Sequence, residues 1–193
     1  MSKSTGNKST AREQLLNTAS RLFFERGFHT VGVDTIVVES GITKMTMYKH
    51  FPSKEHLIVA VLERSSEMYW DWFESVIQGI PEPSAQLSAI FDAVATGHAH
   101  SPRSTYCLYQ NVAVEFPNPE QIANQAAVAH KQSIVKRLHS ICEQAGLKSP
   151  DTLARQLFVL LEGFCISSRF FGTNSPAADV VTAAKSLIDT YRQ

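Results

Sequence analysis

The sequence predicts an all-α protein. Pro and Gly cut the 193 residues into segments, each segment repeats its apolar residues with a period near 3.6, and none sustains a period of two. Apolar residues make up 44% of the chain and charged residues 19%, a balance that excludes a disordered chain or a disulfide-stapled miniprotein. At this length a core can form without help from disulfides or metal.

The first helix is expected where Ala11, Leu15, Ala19, Leu22 and Phe23 share one stripe, and it stops at Gly27. Two short helices, Asp34 to Glu39 and Lys44 to His50, follow on either side of Ser40-Gly41-Ile42-Thr43. Gly41 permits the sharp turn and Thr43 can accept hydrogen bonds as N-cap. Pro52-Ser53 opens a long helix from Lys54 to about Gln78, closed by Gly79-Ile80-Pro81. Further helices are expected at about 83–99, 104–116, 119–145, 150–171 and 176–191, about nine in all. Asn118-Pro119, Ser149-Pro150 and Ser175-Pro176 each set Pro at a first helical position, with Gln121 three residues on from Asn118.

Formal net charge is zero, but the two ends differ. Residues 1–64 carry nine Lys/Arg against six Asp/Glu, and residues 65–193 carry nine against twelve. The basic end is the one expected to meet a polyanion. No run of about 18 uncharged apolar residues exists, and the first ten residues lack the apolar stretch of a secretory signal, so a cytoplasmic protein without a membrane partner is expected. Cys107, Cys142 and Cys165 are odd in number and widely spaced, which reads as reduced thiols. His98/His100 and His139/Cys142 are the closest pairs of candidate metal ligands. The first pair faces two ways on a helix and neither completes a tetrahedral site, so no metal and no cofactor are expected. No nucleophile, base and orienting group stand together in the sequence, and an enzyme is not expected.

A short helix, a Gly turn and a second short helix make a helix-turn-helix, whose second helix lies in the major groove of DNA. Met47 and Phe51, four apart, can pack inward, which leaves Lys44, Met45, Tyr48 and Lys49 pointing out. Lys44 can reach a guanine edge or a phosphate, Met45 a thymine methyl, and Tyr48 a phosphate. Lys54 adds its charge to the free N–H groups at the start of the long helix, a natural phosphate site.

The stretch from Arg12 to Glu63 resembles the DNA-binding region of the tetracycline-repressor (TetR/AcrR) family of bacterial regulators. The matching pieces are Leu22-Phe23 with Gly27-Phe28, Ile36, Gly41-Ile42-Thr43, Thr46-Met47-Tyr48, His50-Phe51 and Ser53-Lys54-Glu55, in the family's order and spacing. The resemblance implies a homodimer that binds a palindromic operator in double-stranded DNA, with Thr43, Lys44, Tyr48, His50 and Lys54 as contacts. It also implies a helical body that accepts a small-molecule effector and changes the spacing of the heads, which for a repressor releases the operator. On this reading residues 1–10 are a flexible basic arm, 11–52 the helix-turn-helix domain, and 53–193 the ligand-binding and dimerisation domain. Gly32, Val37 and Met45 depart from the family's habit of a Thr or Ser cap, a small Ala, and Gly or Ala. The first costs up to about 1 kcal/mol of capping, the second widens the packing between the second and third helices, and the third alters base preference.

In the body, the segment from Pro150 to Gly172 is apolar nearly all round, with Arg155, Glu162 and Arg169 seven apart on one narrow stripe. Such a helix must be covered on most sides. Val180, Ala184, Leu187 and Tyr191 form a seam on the last helix, and two such helices from each subunit would make a four-helix dimer bundle in which Gly163 and Ala184 allow close approach. Met68, Trp72, Phe91, Cys107, Asn111, Glu115 and Phe164 are the candidate ligand contacts, combining apolar walls with a few polar groups. The alternative is a small-molecule binding or interaction protein that no longer binds DNA; retention of Lys44, Tyr48, Lys49 and Lys54 favours the DNA-binding reading.

Overall fold

The structure, a computed structural model, describes residues 10–96, 108–172 and 179–192. Those residues form nine helices and no strand: α1 (Ala11–Arg26), α2 (Val33–Ser40), α3 (Lys44–His50), α4 (Lys54–Ile77), α5 (Pro83–Ala95), α6 (Leu108–Glu115), α7 (Ile122–Gln144), α8 (Pro150–Phe171) and α9 (Asp179–Thr190). The expected arm, His98, His100, Cys107 and Ser175-Pro176 lie outside the described residues, apart from Thr10. The helices belong to two compact units. One holds the residues up to Ser65 with Leu108–Ala127, the other those from Ser66 and from Val128 onward.

In the first unit, Thr10 caps α1 by accepting the Glu13 N–H at 3.3 Å. The buried face of α1 is Leu15, Leu16, Ala19, Leu22 and Phe23, the stripe that the periodicity predicts with Leu16 added. Arg64 of α4 holds this helix through Asn17 Oδ1 at 2.8 Å, the Leu16 carbonyl at 3.0 Å and Ser20 Oγ at 2.7 Å. α2 starts at Gly32, which supplies no side-chain cap, and ends at Gly41 in the left-handed conformation, φ +67°. α3 has seven residues, too few to persist alone in water. Its Met47 and the following Phe51 are buried, and each such burial contributes about 1.5–3 kcal/mol.

One helix start, that of α7, differs from the sequence expectation, and that of α8 agrees with it. α7 begins at Ile122 and not at Pro119. Asn118 Oδ1 accepts the Glu120 N–H at 3.0 Å and Gln121 Oε1 accepts the Asn118 N–H at 3.2 Å, so Pro119 sits in a side-chain-closed turn ahead of the helix. The Ala123 N–H at the start of α7 donates instead to Glu55 of α4, at 3.3 Å. α8 does have Pro150 in its first turn, but Ser149 makes no side-chain cap. Ser149 takes φ +46°, outside the extended conformation of a capping residue, and its carbonyl accepts from the Thr152 and Leu153 N–H groups.

In the second unit, α9 packs on α5 and α8. The core joins Phe73 of α4, Phe91 of α5, Leu138 of α7, Leu157 and Phe164 of α8, and Ile188 of α9. Arg137 grips Glu74 with two hydrogen bonds, at 2.9 and 3.0 Å, and Lys131 meets Glu162 at 2.6 Å. Cys142 is buried in this core, which pushes its thiol up to about 11, so it is protonated at neutral pH.

His130 of α7 is 7% exposed, and its Nδ1 lies 2.9 Å from Ser66 Oγ. Burial, together with the charge of Lys131, lowers its pKa from 6.5 to about 4. As pH falls through that interval, the unfolded chain takes up a proton that the folded chain refuses. The stability held by neutral His130 is therefore complete above about pH 6.5 and lost on the way down to pH 4, at a cost of about 2–3 kcal/mol. Urea denaturation of the wild type and His130→Gln between pH 7 and pH 4 should show the wild type losing ground to the variant as the pH drops. Parallel profiles would contradict a buried neutral His130.

Candidate nucleic-acid interface

Because Met47 and Phe51 point into the first unit, the opposite side of α3 is fixed as the outer one. Met45 is 82% exposed and Tyr48 44% exposed, and Lys44, Lys49 and His50 are exposed with them. Thr43 accepts the Thr46 N–H at 3.2 Å as N-cap, so its hydroxyl first serves to start the helix. At the start of α4, Ser53 accepts the His56 N–H at 3.2 Å. The first two N–H groups of that helix have no acceptor in the preceding turn. Lys54 stands there half-buried, and desolvation pushes its ammonium below the usual pKa while the charge of Glu115 pulls it back up.

All seven DNA-contact candidates, Thr43, Lys44, Met45, Tyr48, Lys49, His50 and Lys54, thus fall in the first unit, on α3, its N-cap and the first residue of α4. Two features of the surface have no local signal in the sequence. Lys44 Nζ is 2.8 Å from Asp34 Oδ1 of α2, and this partner raises the pKa of the lysine. Arg21 of α1 pairs with Glu39 and Glu25, and Arg26 with Glu39 at 3.4 Å, which ties α1 to α2. Among the described residues, Lys49 is the cation of α3 without a carboxylate partner.

Glu115, expected as a polar ligand contact, is engaged elsewhere. Its carboxylate accepts the Phe28 N–H at 3.0 Å and the His29 N–H at 2.5 Å, and its carbonyl lies 2.6 Å from His29 Nε2. Phe116 adds ring contacts to Phe28 at 5.7 Å and to His29 at 5.0 Å. Gly27 belongs to this junction for two reasons: its φ is +80°, and a Cβ there would lie 3.1 Å from Glu115 Oε1. The loop between α1 and α2 is thereby held by the end of α6.

The other ligand candidates are divided. Asn111 lies with Glu115 on α6 in the first unit, and Met68, Trp72, Phe91 and Phe164 lie in the second. Met68 is 63% exposed, whereas Phe91 and Phe164 are part of the core. Trp72 is half-buried, and its indole N–H is buried with no acceptor among the described residues. An open groove of about 860 Å³ runs beside the end of α4, between Trp70, Glu74, Gln78, Pro81 and Arg137, and none of the six described candidates lines it.

A three-helix head in which a left-handed glycine turn joins α2 to α3, with one face of α3 exposed, has the form of a helix-turn-helix DNA-binding domain. Residues 15–61 match the family described as bacterial regulatory proteins, tetR family. The chain is 28% identical over 178 residues to the HTH-type transcriptional activator FasR of Mycolicibacterium smegmatis, a match over 92% of this chain and 79% of that protein. With the HTH-type transcriptional regulator UidR of Escherichia coli it shares 38% identity over 69 residues, 36% of this chain and 35% of that one. The crystal structure of a TetR-family transcriptional regulator from Streptomyces coelicolor superposes with a TM-score of 0.87 at 26% identity, covering 95% of this chain and 96% of that one. Residues 15–61 thus match the TetR-family DNA-binding region, and along nearly its whole length the chain is similar to TetR-family helix-turn-helix transcriptional regulators. No helix among the described residues is long and apolar enough to cross a membrane.

The Glu115 junction gives an expected outcome. Glu115→Ala leaves two backbone N–H groups without their charged acceptor, a loss of about 1–3 kcal/mol. Denaturant unfolding should show a lower midpoint for Glu115→Ala and a partial recovery for Glu115→Gln, whose carbonyl can accept one of the two bonds. An unchanged midpoint in the alanine variant would contradict the junction.

Proposed function

We propose that the chain is a homodimeric repressor that binds a palindromic operator through α3 and the start of α4, and that a small molecule held by the second unit releases it. The observation that carries this reading is the outer face of α3. A seven-residue helix that spends Met47 on the core still presents Met45 and Tyr48 to solvent beside two lysines, a mixed apolar and cationic surface that suits the groove and backbone of a duplex. A thymine methyl suits Met45, and a phosphate suits Tyr48 and Lys49. DNA as the partner places the protein in the cytoplasm.

Support for the dimer comes from α8 and α9. Val159, Gly163, Ile166 and Phe170 form an exposed stripe on α8. An apolar groove of about 430 Å³ between Thr152, Gln156, Val159, Leu160, Ala183 and Leu187 continues it onto α9. Gly163 has nothing within 4 Å of where its Cβ would be, so a second helix can approach there. For the effector, the unpartnered indole N–H of Trp72 would favour a ligand with an acceptor atom in an otherwise apolar setting.

The test begins with an operator selected by the wild-type protein from random duplex DNA. Tyr48→Ala and Lys49→Ala should each weaken binding by about 1–3 kcal/mol while melting and sedimentation remain those of the wild type. Equal affinity in both variants would remove α3 from the interface. Gly163→Asp should dissociate the dimer, because a charge buried at a helix contact is costly. A dimer unchanged by that substitution lies elsewhere. Any small molecule that stabilises the protein in a thermal-shift screen should bind less tightly when operator is present, by the same factor by which it weakens operator binding. Ligand affinity indifferent to operator would contradict release.

A further inference from the structure

Asp34 is an acidic group beside a surface that faces a polyanion, and it is far from buried: its side chain is 81% exposed. It sits in the first turn of α2, where its charge suits the helix dipole, but many positions in that turn would serve the dipole equally. Its specific contact is with Lys44 at 2.8 Å, across the turn that separates α2 from α3. Lys44 is itself 53% exposed at the start of the reading helix.

We infer that Asp34 is a specificity-determining residue, and that the Asp34–Lys44 pair reads one G·C base pair per half-site while denying Lys44 to phosphates. This deepens, and rests on, the reading of α3 as the DNA-contacting helix. An ammonium carries three protons, so Lys44 can keep Asp34 with one and offer the others to guanine O6 or N7. In the major groove the cytosine of the same pair places an N4–H donor beside the guanine O6 acceptor. A lysine donor and a carboxylate acceptor side by side match that arrangement. A phosphate offers no donor and carries a charge that the carboxylate repels, so the pair meets it at a disadvantage. An unpaired lysine in the same place would be drawn to any phosphate, whatever the sequence.

The experiment uses the full chain and four versions of it: wild type, Asp34→Ala, Asp34→Glu and Lys44→Ala. Each selects from a random duplex library, and each is titrated against the wild-type operator and against a scrambled duplex of the same length and composition at 50–200 mM salt. Asp34→Ala is expected to lose the G·C preference at one symmetric position per half-site and keep the others. On the scrambled duplex it should bind several-fold tighter, with the slope of log K against log salt steeper by about 0.9 per head, the signature of one added phosphate contact. Asp34→Glu should restore the preference, and Lys44→Ala should abolish it without the gain on scrambled DNA.

A selected sequence and salt slope in Asp34→Ala identical to those of the wild type would overturn the proposal. So would equal weakening on both duplexes with no change in slope, because that is the mark of a merely structural role in α2. A wild-type protein that selects no sequence at all would instead strike the reading of α3 on which the proposal rests. An unchanged Lys44→Ala would remove Lys44 from the interface and the proposal with it, while Tyr48 and Lys49 keep theirs.

Discussion

A seven-residue helix cannot hold itself, and the first unit is organised around holding one. α3 keeps its shape because Thr43 caps its start, Met47 and Phe51 are buried, and Gly41 adopts a left-handed turn that brings it against α2 and α1. Burial on one side decides exposure on the other: once Met47 and Phe51 face inward, Met45, Tyr48 and Lys49 have nowhere else to point. The exposed face proposed to meet DNA is thus a by-product of packing. Its precision depends on α1, which Arg64 fastens from α4 through three hydrogen bonds and which pairs with α2 through Arg21, Arg26 and Glu39.

Those same ion pairs alter what the charge of the head means. The surplus of basic residues in the first third suggests a generally sticky polycation, yet Arg21 and Arg26 are spent on Glu39, Arg64 on α1, and Lys44 on Asp34. Lys54 is half-buried beside Glu115. On the proposed reading of α3, recognition would rest on placed donors and on the exposed Met45 and Tyr48 more than on bulk charge, which favours discrimination between sequences over tight binding to any of them.

How much of this the sequence discloses follows from how local each feature is. The apolar stripe of α1, the stops at Gly27 and Gly41, the caps at Thr43 and Ser53, and the inward pair Met47/Phe51 are set by residues within one or two turns, and all were legible. The resemblance to the family rests on the same short-range spacing. Glu115 was not legible: its partners, the N–H groups of Phe28 and His29, lie 87 and 86 positions away, and nothing near Glu115 marks it as an acceptor for a distant loop. The same holds for Glu55, which serves the Ala123 N–H 68 positions on. Pro119 shows a subtler failure: its residue type signals a helix start, but Asn118 and Gln121 close a turn first. Pro150 does open α8, with Ser149 before it at positive φ and without a side-chain cap. The contact between Asp34 and Lys44 spans only ten positions, but it crosses a turn whose geometry had to be known before the pair could be seen.

The central claim is that α3 reads the major groove of DNA in two copies related by a twofold axis. Methylation interference on an operator selected by the wild-type protein tests it directly, because guanine N7 lies in the major groove and adenine N3 in the minor. Two clusters of interfering guanines, symmetric about the operator centre and separated by about one turn of the duplex or a multiple of it, are expected. A single cluster, or interference confined to adenine N3, would contradict the claim.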